Sequence, residues 1–253
     1  MQPALSALFP EPLAALGDAL VFGDDPRPSV SLEEYLAPAH VDSCLARFAP
    51  QYPHGDRRAL VSIWIKYHFL RLIPPVIIAS LNANWYLPVH AQDLRVIVGE
   101  DGLPAAFQLP DAGHPWQREP KNAFERFADL LDGHLDPLIR SLSSQVKLSP
   151  KVFWSSAGHY LEWILGELAG YPVHRAALEQ TQDLIQQRCR PDSFRNPLHN
   201  CIRYVEREGD AQLHRERQHC CIRYKLPGKT LCSTCPHSCK PPPGYDPQQF
   251  KSA

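Results

Sequence analysis

The residues best equipped for chemistry are the eight cysteines, Cys44, Cys189, Cys201, Cys220, Cys221, Cys232, Cys235 and Cys239. Five of them crowd into residues 220–239. In a reducing compartment, thiols this dense read as soft metal ligands rather than as a disulfide framework. The pattern is an adjacent pair, Cys220-Cys221, then ten residues, then Cys232-Ser-Thr-Cys235. A two-residue gap lets one tight turn aim two sulfurs at a common centre. Ile222–Lys225 and Leu226-Pro227-Gly228-Lys229-Thr230 read as a strand and a turn that bring the adjacent pair back beside the second pair. Four convergent thiolates suit either tetrahedral zinc or an iron–sulfur cluster. Adjacent cysteines are unusual for a zinc knuckle, whose ligand pairs are normally separated by two to four residues. Cys239 falls outside the pattern and reads as a spare thiol. Cys44, Cys189 and Cys201 read as small hydrophobes.

Charge gathers around these cysteines. Arg215, Arg217, Arg223, Lys225, Lys229 and Lys240 face a single nearby acid, Glu216, in a chain whose formal net charge is −1. Such a segment solubilises itself, and beside a cluster it also raises the reduction potential and attracts an acidic donor protein or an anionic chelate. His214, His219 and His237 are close enough to suggest imidazole ligation, but four suitably spaced cysteines make a histidine-ligated cluster the weaker reading. The near-neutral total offers no basis for a nucleic-acid partner. There is no Gly-rich phosphate loop, dinucleotide fingerprint or nucleophile elbow, so a hydride mechanism is disfavoured and electrons are expected from a separate protein.

The elements that must position these residues are mostly helical. Leu60, Ile63, Trp64, Tyr67 and Leu70 recur at helical spacing; Pro74-Pro75 is expected to end that helix and Val76–Leu81 to begin another. Leu94–Val98 and Ala105–Leu109 flank Gly99-Glu100-Asp101-Gly102 as a β-hairpin. Asn122–Leu148, with a break at Pro137, Pro150–Ala169 and Val173–Arg188 read as further helices. Ser149-Pro150 is a cap and first-turn pair, and Ser31-x-x-Glu34 is a capping box. The expected class is α+β and mainly helical: a helical core, a small antiparallel β-sheet and a C-terminal cysteine-rich segment. Residues 1–55 are expected as an N-terminal helical cap, 56–188 as the core with its hairpin near 93–110, 189–240 as the metal-binding segment and 241–253 as a Pro-rich tail. The segment after Cys189 is too poor in apolar residues to hold its shape without a metal. Met1-Gln2-Pro3-Ala4-Leu5 lacks the basic and apolar regions of a signal peptide. The apolar stretch Leu60–Ile73 is interrupted by Lys66, His68 and Arg71 and does not read as a membrane span. The expectation is a cytoplasmic protein, with peripheral contact to the inner membrane left open.

Arg217-Gln-His-Cys220-Cys221-Ile-Arg-Tyr-Lys-Leu-Pro-Gly-Lys-Thr-Leu-Cys232-Ser-Thr-Cys235-Pro236 resembles the C-terminal signature of the FhuF family of siderophore-iron reductases. Phe153-Trp154-Ser155-Ser156-Ala157-Gly158-His159-Tyr160-Leu161 resembles the family's mid-chain helix motif, and Asn196-Pro197-Leu198 is a thinner match. The resemblance runs from Ser62 to Pro236. It implies a [2Fe-2S] cluster on Cys220, Cys221, Cys232 and Cys235, and one-electron reduction of a ferric siderophore, with ferric hydroxamates as the substrate class and a ferredoxin or reductase as donor. Trp154, His159, Tyr160, Arg217, Arg223 and Lys225 are the candidate substrate contacts. A lone helical histidine such as His159 ordinarily packs through hydrogen bonds, and most of the aromatic residues are ordinarily core. The competing readings are a non-redox siderophore- or partner-binding protein with structural zinc, and a [2Fe-2S] electron-transfer or redox-sensing module.

Overall fold

Short, proline-broken segments open the fold, and one long apolar helix organises it. The computed structural model describes residues 8–23, 25–207, 212–238, 240–242 and 245; Cys239 and most of the Pro-rich tail lie outside them. A 3-10 helix at Glu11–Ala19 leads into β1 (Leu20–Phe22) and β2 (Ser29–Ser31). Then come α1 (Leu32–Tyr35) and α2 (Pro38–Phe48). The Ser31 side chain accepts from the Glu34 N–H at 3.1 Å, as the capping-box pattern predicts.

Helix α3 (Arg57–Ala83) is capped by Asp56 and runs for 27 residues, through Pro74 and Pro75. The proline pair was expected to end it. An interior proline costs about 3 kcal/mol, but Leu72, Ile73, Val76, Ile77 and Ile78 are all buried around the pair. At about 1.5–3 kcal/mol per buried side chain, tertiary burial outweighs the local penalty. By length and composition α3 could cross a membrane, yet 72% of its most apolar window is buried inside the protein. It is the core helix.

The strands β3 (Trp85–Tyr86), β4 (Arg95–Val98), β5 (Pro104–Leu109) and β6 (His114–Pro115) follow. The expected hairpin is the antiparallel β4–β5 pair. The sheet it belongs to has the order β1-β5-β4-β2, and β1 pairs parallel to β5. The sheet is thus mixed rather than purely antiparallel, and the expected helical cap supplies two of its strands. Three-residue strands are too short to show an alternating pattern.

The stretch expected as a long helix with a break at Pro137 is three pieces: α4 (Ala123–Arg126), a π-helical turn at Asp129–Leu135, and α5 (Asp136–Val146) with Pro137 in its first turn. Helix α6 (Pro150–Leu168) packs against α3, and α7 (Arg175–Gln186) closes the helical part. Ser149 is the N-cap residue of α6, but its side chain makes no capping hydrogen bond. The cysteine-rich segment contains an antiparallel ribbon that fading periodicity did not announce, β7 (Ile202–Val205) with β8 (His214–Arg217). Where a strand was expected after Cys221 there is a 3-10 turn, Arg223–Lys225. One apolar core runs from Leu8 to Leu226 and joins this segment to the helices.

Candidate metal centre

Backbone hydrogen bonds stitch the two cysteine pairs together. The Cys235 N–H donates to the Cys232 carbonyl at 3.0 Å, closing the turn that carries both sulfurs. The Arg217 N–H donates to the Thr234 carbonyl at 2.9 Å, which ties that turn to the end of β8. Just past the adjacent pair, Ile222 takes a left-handed conformation with φ of 51°, costly for a β-branched residue, and its N–H donates to the Cys220 Sγ at 3.3 Å. The Cys220 and Cys235 sulfurs are 3.5 Å apart. The Cys221 and Cys232 sulfurs both accept from Nη2 of Arg217, at 2.9 Å and 2.8 Å. Cys220, Cys221 and Cys235 are buried and Cys232 is partly so. Among the described residues no set of three or more His, Cys, Asp or Glu side chains is disposed to hold one metal ion.

The electrostatics split the four thiols: hydrogen bonds to Cys221 and then Cys235 hold Cys220 and Cys232 protonated, well above the usual thiol range. Hydrogen bonds from Cys220 and then Cys232 hold Cys221 well below the usual thiol range, helped by Lys66 and Arg217. Hydrogen bonds from the same two thiols lower Cys235. Arg217 is only 2% exposed, and its guanidinium also reaches Ser156 Oγ at 3.3 Å. The Lys66 ammonium, from α3, lies close enough to the Cys221 sulfur to interact with it. Burial and then Arg217 push its pKa down, while Cys221 and Cys232 pull it back up. Both cations therefore face Cys221 and Cys232. Four sulfurs gathered beside the buried Arg217 and the half-buried Lys66, with a backbone donor on Cys220, fit a cluster whose thiolate ligands carry negative charge.

Helix α6 holds this segment at close quarters. The His219 N–H donates to Ser155 Oγ at 3.1 Å. A Cβ on Gly158 would lie 2.4 Å from the Cys201 Sγ, so only glycine lets β7 approach here. Burial pushes the Cys201 thiol up to about 12; it is an inert packing group, as expected.

The six candidate substrate contacts do not form one site. Arg217 is buried against the sulfurs and has no surface to offer a chelate, which corrects its expected role. Nδ1 of His159 accepts from Arg215 Nη1 at 2.8 Å, and Arg215 also pairs with Glu162. Burial, then Arg215, hold the His159 imidazole down at about 3, so it packs neutral and is no proton donor. Tyr160 lies edge-on to the His159 ring, with its phenol raised to about 12 by burial. Arg223 Nε donates to the Thr230 carbonyl at 2.9 Å, and Lys225 lies 3.9 Å from Asp56; both secure the loop.

Trp154 alone of the six lines a large cavity, of about 860 Å³, that opens between the start of α6, residues 190–199 and Gln218-His219. Its floor is locked by Asn196, 2% exposed, whose Nδ2 donates to the Leu184 and Gln187 carbonyls at 2.9 Å and 2.8 Å. Asn196 Oδ1 accepts from the Leu198 N–H at 3.0 Å. Sequence reasoning missed Lys66, Lys151, Arg190 and Arg195 as parts of the centre or the cavity. Of these only Lys66 carried a signal, a charge inside an apolar run.

The family described as "Ferric iron reductase FhuF-like transporter" matches residues 62–212, and the "FhuF 2Fe-2S C-terminal domain" matches residues 217–237. The second match indicates a [2Fe-2S] cluster in the segment that carries the four sulfurs. A protein of Escherichia coli (strain K12) named ferric siderophore reductase is 23% identical over 220 residues, covering 84% of this chain and 81% of the relative. Two structures of the aerobactin synthetase IucA from a hypervirulent pathotype of Klebsiella pneumoniae, one with ATP bound, superpose with TM-scores of 0.53 and 0.54 at 15% and 14% identity. Each match covers 70% of this chain but only 38% of the synthetase, a likeness of fold alone.

Proposed function

This chain belongs to the FhuF family, and from that premise we propose that it is a ferric-siderophore reductase in which Cys220, Cys221, Cys232 and Cys235 hold the [2Fe-2S] cluster. The observation that carries the reading is the gathering of the four sulfurs, two of them on the buried Arg217, with Cys220 one peptide bond from the cavity residue His219. The cluster supplies a one-electron couple. Hard oxygen donors hold Fe(III) tightly and Fe(II) weakly, so a single electron loosens the metal. Arg217 and Lys66 stabilise the additional negative charge of the reduced centre, and Ser155 and Ser156 hold the segment against α6. With His159 neutral and bonded to Arg215, no acid–base group is needed beyond solvent. Hydroxamate chelates are the substrate class suggested by the family resemblance. The sequence has no dinucleotide fingerprint, which favours electrons arriving from an external ferredoxin or reductase. Thiolate ligation suits the reducing cytoplasm, with at most peripheral contact to the inner membrane.

Anaerobic purification followed by iron, sulfide and zinc analysis tests the cofactor, and the reduced protein is then mixed with a ferric hydroxamate and a ferrous-specific chelator. The expected result is a coloured protein with an EPR signal on reduction, and iron release much faster than with a Cys232→Ser variant. A colourless protein with one zinc per chain, or release no faster than with the variant, overturns the proposal.

A further inference from the structure

We infer that the cavity beside Cys220 is the seat of the ferric chelate and that it selects chelates of net negative charge. The inference rests on the reductase reading and deepens it by adding a location and a charge class. The cavity, about 860 Å³, lies within the roughly 300–1,000 Å³ of small-molecule sites. Its wall includes His219, the residue before Cys220, and consecutive Cα atoms are only about 3.8 Å apart. A chelate held here lies next to the centre that must reduce it.

The groups that face a ligand are donors. Trp154 is 7% exposed, lines the cavity, and its indole N–H has no partner among the described residues. Lys151 and Arg195 line it too, are exposed, and have no side-chain partner among the described residues. Lys, Arg and Trp side chains carry donors and no acceptor. Helix α6 starts at Pro150, another wall residue, and its end lacks a side-chain cap; the positive end of a 19-residue helix dipole adds to the same potential.

The acids that line the cavity are already engaged. Asp132 is bound by both terminal nitrogens of Arg190 at 2.5 Å. Asp136 pairs with Arg140 at 2.7 Å, and Asp192 lies 3.6 Å from Arg190. What remains for a ligand is a donor-rich surface with two uncommitted cations, which favours oxygen-rich chelates with negative charge left over after the iron is neutralised. Hydroxamates alone leave the ferric complex uncharged or positive; chelates that add free carboxylates, or that use catecholates, leave it negative.

Gallium(III) complexes, which mimic ferric chelates but resist reduction, separate binding from electron transfer. Calorimetric titration of the cluster-loaded full chain would compare a gallium citrate-based dihydroxamate, which is negative, with an uncharged gallium trihydroxamate. The expected result is tighter binding of the negative complex by roughly tenfold, about 1.4 kcal/mol, weakening with salt. A Lys151→Glu/Arg195→Glu variant loses that preference while the visible spectrum of the cluster stays unchanged. Equal affinity for the two complexes refutes the charge class, and wild-type affinity in the double variant refutes the seat. If either occurs while the wild-type protein still reduces ferric chelates, only this inference falls; absence of any reduction removes the reductase reading itself.

Discussion

Arg217 offers the sharpest quantitative test of how this fold sets the redox centre. Its guanidinium is buried, with Nη2 2.9 Å from the Cys221 sulfur and 2.8 Å from the Cys232 sulfur. Reduction adds one negative charge to the cluster, so a fixed cation at this range stabilises the reduced state and raises the potential. Taking roughly 5 Å between the guanidinium charge and the cluster's centre, and an effective dielectric of about 20, gives about 3 kcal/mol. For a one-electron couple, about 59 mV corresponds to a tenfold change, or about 1.4 kcal/mol, so Arg217→Gln should lower the potential by roughly 130 mV. The loss of two N–H···S bonds acts in the same direction. Arg217→Lys keeps the charge but cannot bridge both sulfurs, and its potential should fall between the other two. Potentiometric titration followed by visible absorbance or EPR reads this directly. A folded, fully loaded Gln variant whose potential matches the wild type would refute the electrostatic argument; a higher potential would reverse its sign.

Three further outcomes follow from packing and titration. Gly158→Ala would gain about 0.5–1 kcal/mol of helix propensity, but its Cβ meets the Cys201 Sγ at 2.4 Å. Overpacking at about 1–3 kcal/mol should win and lower Tm by several degrees; an unchanged or higher Tm by calorimetry would contradict the close approach. His68 and His134 form a buried pair with their Nε2 atoms 2.8 Å apart. Burial holds His134 down at about 4 and His68 well below its ordinary range. The unfolded chain therefore binds more protons below pH about 6.5, so this contribution is whole above that pH and is lost as pH falls toward 4. The slope should approach about 1.4 kcal/mol per pH unit for each proton taken up; urea unfolding between pH 7 and 5 should show it, and a His134→Gln variant with the same slope would exclude the pair as its source. Asn196→Ala strands two carbonyls and one N–H beneath the cavity, at about 1–3 kcal/mol for each group left dry. It should raise KM for a ferric chelate while leaving the cluster's EPR signal intact, and steady-state kinetics showing an unchanged KM would argue against the cavity's role.

What the sequence by itself determined is local. The spacing of Cys232 and Cys235 anticipates the turn that presents two sulfurs, Ser31 and Glu34 make the capping box they spell, and the β4–β5 hairpin and α6 lie close to where pattern and proline set them. These features depend on residues a few positions apart, where backbone preference and one hydrogen bond suffice. The rest needed packing between distant segments. The Pro74-Pro75 pair ends helices in isolation, but here both residues lie in the interior and α3 continues. Lys66, His68 and Arg71 looked alike as charged or polar breaks in an apolar run. The fold gives them three separate tasks: at the Cys221 sulfur, against His134, and to the Ala105 carbonyl at 3.0 Å. Arg217 changed most, from one of several surface cations to the buried group that bridges two sulfurs. Desolvation and Coulomb energy depend on what surrounds a charge in three dimensions, and the packing of α3 and α6 against the cysteine segment decides that.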